Sequence, residues 1–293
     1  MSGVDGRTPN GAASSETSGA DTRVPISVAK VPRGPRRAVL AITWQSWMAA
    51  RSFFFLLAFG WMMPPVVALF IWRAVASGGT VGAFNQSGIT LYYLAVIVVN
   101  QFTMTQANWT VGDNIRAGHI NSLLLRPFHP LADATMIELA GKGVFLTFAL
   151  PMAVLLGVIL RPELAIRAAD IALFVPALLL AWLLRFSWGL WLALLAFRAA
   201  KADSLLTVQE TLVDLVGGIL APISLLPPLL GSVARVLPFR SMVGFPVEVL
   251  TGSLDRADVF TGMAVQAAWL AVSLGLCAVT WKTGLAHHEA VGG

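Results

Sequence analysis

With 293 residues, of which 57% are hydrophobic and only 12% charged, the chain is too poor in charge for a soluble enzyme, whose domains carry about 25% charged residues. Its net charge of +5 does not indicate nucleic-acid binding, because the basic residues gather at the ends of apolar segments and form no basic face. Cys277 is the only cysteine, which excludes an intrachain disulfide. Composition therefore assigns most of the chain to a membrane.

The N-terminal region divides into two parts. Residues 1–35 are rich in Gly, Ser and Thr and contain no apolar run, so they predict a disordered cytoplasmic tail. In the following segment, Arg36–Ser52, apolar residues recur on one helical face, namely Leu40, Trp44, Trp47 and Met48. This spacing predicts an amphipathic helix in the membrane interface, and the alternative is a cytosolic extension of the first span.

Six apolar segments follow, each near the 20 or so residues that a helix needs to cross a bilayer. They lack the alternating pattern of membrane-barrel strands, so the predicted fold class is an all-α polytopic membrane protein with six transmembrane helices. The distribution of Lys and Arg favours cytoplasmic termini. The predicted spans are 53–72, 89–109, 143–160, 171–197, 204–226 and 259–281.

The second half of the second span is polar. Between Asn100 and Asn108 it carries amide and hydroxyl side chains on most of its positions. We expect this half to face protein or a cavity, because lipid does not solvate such groups. Interhelical hydrogen bonding is the simpler interpretation, and lining of a translocation path is the alternative.

The connection between the second and third spans, 110–142, is long and mixes apolar patches with charges. Gly118 can end one helical turn and Pro127 another. The pattern predicts a short amphipathic helix on the cytoplasmic side that docks a soluble partner. The alternative is an ordinary loop in which Arg116 and Arg126 serve only as topology anchors.

A second long connection, 227–258, precedes the last span. Its two semi-apolar pieces are too short to cross a bilayer, which predicts short re-entrant or surface-lying helices on the outer side. The residues singled out in this region are Pro238, Phe239, Gly244, Pro246 and Gly252.

Three charges are predicted within the membrane. Glu210 and Asp214 are four residues apart and share a face of the fifth span, while Arg185 lies in the fourth. Counting from the span ends puts Arg185 and Asp214 at similar depth, about 16–18 Å, which predicts an ion pair that braces the two spans. A role in a substrate pathway or in proton coupling is the alternative.

The chain lacks the motifs of catalysis and nucleotide binding. It contains no G-x-x-x-x-G-K-[ST] string, so it does not bind ATP as P-loop proteins do. It also contains no H-E-x-x-H and no cluster of metal ligands. We therefore expect no catalytic residue, cofactor or metal on this chain.

The string from Ile115 to Pro127, which reads I-R-x-G-x-I-x-S-L-L-L-R-P, resembles the segment after the second span in ABC-2 type transporter permeases. The closest subfamily is that of small six-span permeases, which are often found as paired, non-identical subunits. The spacing of Pro238, Phe245-Pro246 and Gly252 is similar to that family, as is the tail from Trp281. The resemblance covers about 36–293, which would form one ABC-2 type transmembrane domain.

This resemblance implies an ATP-driven exporter in a bacterial inner membrane, built from two permeases and two separate ATPase subunits that bind ATP and Mg²⁺. The second permease would be a different chain, with a homodimer as the alternative. A coupling helix would seat in a groove of the ATPase through Ile115, Arg116, Gly118, Ile120, Leu123, Leu124, Arg126 and Pro127. Two other functions remain open: a secondary transporter with Glu210 or Asp214 as its proton site, and a membrane scaffold or enzyme without transport.

Overall fold

The computed structural model describes residues 42, 44–46, 49, 51–119, 130–164, 166–198 and 202–292. Regular structure in these ranges is helical, apart from one isolated antiparallel bridge between Val81 and Phe84. The predicted disordered tail lies outside the described residues. The α-helices with described bounds are α1 Arg51–Val75, α2 Gln86–Thr103, α3 Ala107–Arg116, α4 Pro130–Leu160, α5 Ala168–Leu194, α6 Ala202–Val216, α7 Pro228–Val236, α8 Pro238–Met242, α9 Gly244–Leu250 and α10 Arg256–Gly292.

Five helical segments of the described chain are long and apolar enough to cross a membrane. Several of them carry large apolar side chains on exposed faces, such as Val154, Val158 and Ile159 of α4, as expected where lipid replaces water. The prediction of an all-α polytopic membrane protein is confirmed. The five segments are Phe55–Gly78, Gln86–Arg116, Leu131–Leu160, Ala168–Phe197 and Arg256–Leu285.

The connection between the second and third spans is much shorter than predicted. Helix α4 begins at Pro130, not near Gly143, and α3 extends from Ala107 to Arg116. The charges Asp133, Glu138 and Lys142 lower the hydropathy of the first turns of α4 without breaking the helix. The prediction of a polar connection over 110–142 is therefore wrong in its bounds.

The structure also differs from the prediction in the fifth span. Helix α6 has 15 residues, or about 22 Å, and ends at Val216, ten residues before the predicted end. Gly218 follows with φ +95°, a left-handed conformation that stops the helix and suits glycine. The chain nevertheless continues toward the far end of the bundle, since the carbonyl of Leu220 accepts hydrogen bonds from Trp72 Nε1 (2.8 Å) and the Tyr93 hydroxyl (3.0 Å).

Two flanking regions were also predicted from the sequence. Helices α7, α8 and α9 occupy the connection before the last span, so the prediction of short helices there is confirmed. Most of the predicted interfacial helix, 36–52, lies outside the described residues. Within it, Ile42 and Trp44 are helical and exposed.

Helix α5 packs along α10 through small and polar side chains. Ser187 Oγ lies 2.6 Å from Ser273 Oγ, and Gln266 Nε2 donates to the Ala177 carbonyl at 3.1 Å. Cys277 Sγ contacts the Ser187 carbonyl at 3.1 Å. Small residues let helix backbones approach closely in lipid, so Cys277 is a packing residue in this interface.

The bundle has two ends, which we name after the predicted topology. The inner end brings together Arg116 and Asp203, and also the Phe197 and Trp281 rings, whose centroids are 6.0 Å apart. At the outer end, the backbone N–H of Glu163 donates to Ser87 Oγ at 2.6 Å.

Candidate functional site: a buried charge cluster beside a broken helix

A cluster of polar side chains surrounds Arg185 within the bundle, and we call it the buried polar cluster (Asn100, Thr103, Arg185, Gln209 and Glu210). Arg185 is only 1% exposed and donates to Asn100 Oδ1 at 2.8 Å and Thr103 Oγ1 at 3.1 Å. It also forms an ion pair with Glu210, whose other oxygen accepts from Gln209 Nε2 at 3.0 Å. The cluster thus joins α2, α5 and α6 through one guanidinium group.

The expected pairing of Arg185 with Asp214 is wrong, because the ion pair is with Glu210. Helix α5 ends at Leu194, so Arg185 lies about 13 Å from its end, and Glu210 lies about 12 Å from the start of α6. Asp214 lies about 18 Å along α6, one turn too far. The prediction counted from approximate span ends, which cannot distinguish two carboxylates that lie one helical turn apart.

The second span is broken at Met104–Gln106, directly after the buried polar cluster. A break leaves backbone N–H groups unpaired at the start of α3 and carbonyls unpaired at the end of α2. Glu138 Oε2 accepts from the N–H of Gln106 at 2.9 Å and of Ala107 at 3.0 Å. Lys142 Nζ donates to the Met104 carbonyl.

Glu138 and Lys142 also pair with each other, with 2.5 Å between Lys142 Nζ and Glu138 Oε1. Their side chains are 3% and 8% exposed. The carboxylate lies at the positive end of α3 and the ammonium at the negative end of α2, so both helix dipoles favour the arrangement. One ion pair on α4 therefore satisfies both sides of the break, and we call it the Glu138–Lys142 clasp.

Hydrogen bonds beside the buried polar cluster join the region of the break to neighbouring helices. Asn108 Nδ2, in the first turn of α3, donates to Thr105 Oγ1 at 2.9 Å and to the Phe186 carbonyl at 3.2 Å. Gln101 Nε2 donates to the Ala58 carbonyl of α1 at 3.0 Å. The polar half of the second span is largely buried, as predicted, and Asn108 and Gln101 donate to carbonyls of neighbouring helices.

Sequence analysis missed Glu138 and Lys142. It assigned Lys142 to a cytoplasmic loop, whereas the structure buries it in α4. Their i, i+4 spacing, with the acid on the N-terminal side, was a usable signal for a pair on one helical face. That signal does not tell which backbone groups the pair would satisfy.

At the inner end, α3 stops at a glycine, as predicted. Gly118 has φ +72°, its N–H donates to the Ile115 carbonyl at 3.1 Å, and the N–H of His119 donates to Asn114 at 2.9 Å. These two bonds form a Schellman motif, the common way of ending a helix with glycine in the left-handed conformation. The chain therefore turns sharply at Gly118.

The predicted coupling residues fall into two groups. Arg116 pairs with Asp113 and, at 2.5 Å, with Asp203 of α6, which joins α3 to the start of α6. Ile115 is 5% exposed and its side chain packs inside the bundle, against the inner part of α5. The remaining predicted residues, Ile120, Leu123, Leu124, Arg126 and Pro127, lie outside the described part of the chain.

The residues singled out before the last span lie at the outer end. Pro238 and Phe239 are buried in α8, and Gly244 and Pro246 are buried in α9. Gly252 follows α9 with φ +64° and lies beside Asp170 of α5. None of them contributes to the buried polar cluster, but Phe239 packs in the same apolar core as Leu184, and its ring lies 6.4 Å from that of Trp188, so this region borders the turn of α5 that carries Arg185.

A family model described as "ABC-2 family transporter protein" matches residues 62–292. The match runs from the middle of α1 through the last residues of α10, and so includes the buried polar cluster, the clasp and the outer helices. No curated protein gives a significant match to the chain.

Proposed function

The chain belongs to the ABC-2 transporter family and is a multi-pass membrane permease; from this premise we propose that it is the non-catalytic membrane subunit of an ATP-driven exporter. Separate ATPase subunits, two in the assembly, bind ATP and Mg²⁺ at the inner face. The membrane is a bacterial inner membrane, with both termini in the cytoplasm. The family match over residues 62–292 is the observation that carries this proposal.

Coupling to the ATPase runs through Ile115–Pro127, which comprises the end of α3 and the segment that follows it. The described part of this segment is joined to the bundle at two points, by the burial of Ile115 and by the Arg116–Asp203 ion pair. A displacement of the segment would therefore move α3 and α6 together. Asn108 of α3 donates to the Phe186 carbonyl, next to Arg185 in the chain, so closure of the ATPase can shift the buried polar cluster between two arrangements.

A second permease completes the translocation path along α6. Ser204, Thr207 and Thr211 are exposed on this helix, and Asp214 lies in line with them at helical spacing, half-buried. Lipid disfavours a carboxylate on such a face, so we place the partner permease against it. The resemblance to paired permeases favours a different chain as the partner.

One observation favours the alternative, a proton-coupled transporter that works without an ATPase. Within the described residues, Asp214 makes no ion pair and no side-chain hydrogen bond. A carboxylate without such partners inside a membrane is suited to bind and release a proton. The purified chain reconstituted alone in liposomes separates the two functions. Uphill transport driven by a proton gradient without ATPase subunits would replace the exporter proposal.

Replacing Gly118 by Val tests the coupling segment. Among the described residues, no heavy atom lies within 4 Å of a Cβ added at this position, so the main effect is backbone strain, about 1–3 kcal/mol at φ +72°. We expect the altered exit of the chain from α3 to lower ATPase co-purification and transport about tenfold or more. Pull-down of the partner ATPase in mild detergent and transport into inside-out vesicles measure the two effects.

Gly79 supplies the matched control. It also has positive φ, +145°, and open space around an added Cβ, but it lies at the outer end after α1. Gly79→Val should strain the backbone without lowering ATPase co-purification. If both variants lost ATPase co-purification equally, or if Gly118→Val kept full co-purification and transport, the assignment of the coupling segment would be contradicted.

A further inference from the structure

A cavity of about 730 Å³ opens at the outer end of the bundle. Its walls are the first turns of α2, the helices α7–α9 with the turn that follows them, and the start of α10. This volume is within the range of about 300–1,000 Å³ that is typical of small-molecule sites. Neither Arg185 nor the Glu138–Lys142 clasp lines the cavity, so the contacts described above do not account for it.

Two of the charged residues that line this cavity neutralise each other. Arg240 of α8 forms an ion pair with Glu248 of α9, and its guanidinium lies 5.7 Å from the centroid of the Phe245 ring. Burial raises the pKa of the Glu248 carboxyl, and the nearby Arg240 opposes this shift. The pair fixes α8 to α9 and lines the cavity, and Arg235 lies near enough to act electrostatically on the Glu248 carboxyl as well.

Three more charged residues line the cavity, and all three are exposed: Arg235 of α7, Asp258 of α10 and Glu163 before α5. Within the described residues none of them forms an ion pair, and none of their side-chain atoms makes a hydrogen bond. The cavity thus offers both a guanidinium and carboxylates that can pair with a ligand. Apolar side chains lie among them, including Leu91, Ile223 and Val265.

We propose that the outer cavity is a binding site for a zwitterionic, partly apolar molecule. Its anionic group pairs with Arg235, and its cationic group pairs with Asp258 and Glu163. A purely anionic ligand would meet the two carboxylates, and a purely cationic one would meet the guanidinium, whereas a zwitterion satisfies both. The ligand is either a zwitterionic lipid headgroup or a free zwitterionic solute.

Calorimetric titration of the purified full-length chain in an uncharged maltoside detergent tests this site. The probes are glycerophosphocholine as the zwitterion, glycerol 3-phosphate as the anion and choline as the cation. We expect the zwitterion to bind more tightly than either singly charged probe. Arg235→Gln and Asp258→Asn should each weaken its binding about tenfold, the usual value of one charge-assisted contact.

The direction of the two effects separates the ligand classes. If Asp258→Asn strengthened the binding of glycerophosphocholine, the site would prefer anionic ligands. If Arg235→Gln strengthened it, the site would prefer cationic ligands. Either result overturns the proposal. Absence of glycerophosphocholine binding to the wild-type chain does the same. Arg256→Gln, next to the cavity on α10 but not lining it, should bind like wild type.

Charge-retaining variants show whether a loss of binding comes from the lost charge or from misfolding. Arg235→Lys and Asp258→Glu should keep most of the binding, and a loss equal to that of the neutral variants would overturn the charge argument.

Nanodiscs then separate the two sources of ligand. Phosphatidylcholine nanodiscs should block the soluble probe if the site holds a lipid headgroup, and should leave it unaffected if the site takes a free solute. The measurements require no ATPase, so they can fail or succeed independently of the proposed exporter function.

Discussion

Arg185→Leu should lower the free energy of unfolding by about 3–5 kcal/mol, the usual cost of leaving one member of a buried ion pair without its partner. The substitution leaves the Glu210 carboxylate in the bundle without the guanidinium that neutralises it. Glu210→Leu should cost a similar amount, because Arg185 would keep only the Asn100 and Thr103 oxygens as acceptors. Thermal unfolding of the purified chain in detergent measures both effects.

The double variant Arg185→Leu/Glu210→Leu should recover much of this loss, since apolar side chains of similar volume often replace a buried ion pair at little cost. Asp214→Leu is the matched control, on the same helix and one turn away, and should change stability by less than about 1 kcal/mol. A greater loss in Asp214→Leu than in Glu210→Leu would contradict the pairing in the structure. Transport by the stable double variant would then show whether the pair only braces the helices.

Glu138→Ala should destabilise the protein by a comparable amount, about 3–5 kcal/mol, because it removes two kinds of contact at once. The N–H groups of Gln106 and Ala107 would lose their acceptor, and the buried Lys142 would lose its counterion. Since the clasp joins α3 to the bundle, we also expect ATPase activity in the assembled transporter to become uncoupled from transport. Thermal unfolding and the ratio of transport to ATP hydrolysis measure these two effects.

The pair Glu138→Gln/Lys142→Met separates the two contributions. The glutamine oxygen can still accept from the start of α3, and the methionine removes the unpaired ammonium, so this double variant should be more stable than Glu138→Ala. Glu163→Gln, an exposed carboxylate at the outer end, should change stability by no more than about 0.5 kcal/mol. If Glu138→Ala were as stable as Glu163→Gln, the clasp would have no structural role.

The sequence predicted the long helices where hydropathy alone determines them, because hydropathy is a local property. The transfer of each residue into lipid depends on its own side chain, so runs such as the one within α1 predict a spanning helix without knowledge of their neighbours. Glycine in the left-handed conformation is also a local signal, and it correctly marked the end of α3 at Gly118. Family membership was likewise indicated by a short string and confirmed by the match over 62–292.

By itself, then, the sequence determined that this protein is a helical membrane protein, because hydropathy and helix-ending glycines act within a few residues, and its resemblance to a known family indicated a permease. Only the tertiary structure decided that Arg185 pairs with Glu210, that Glu138 and Lys142 hold a broken helix, and that Arg235 and Asp258 line an outer cavity. Each of these depends on the relative depth and rotation of helices far apart in the chain. Packing fixes those quantities, and no local pattern records them.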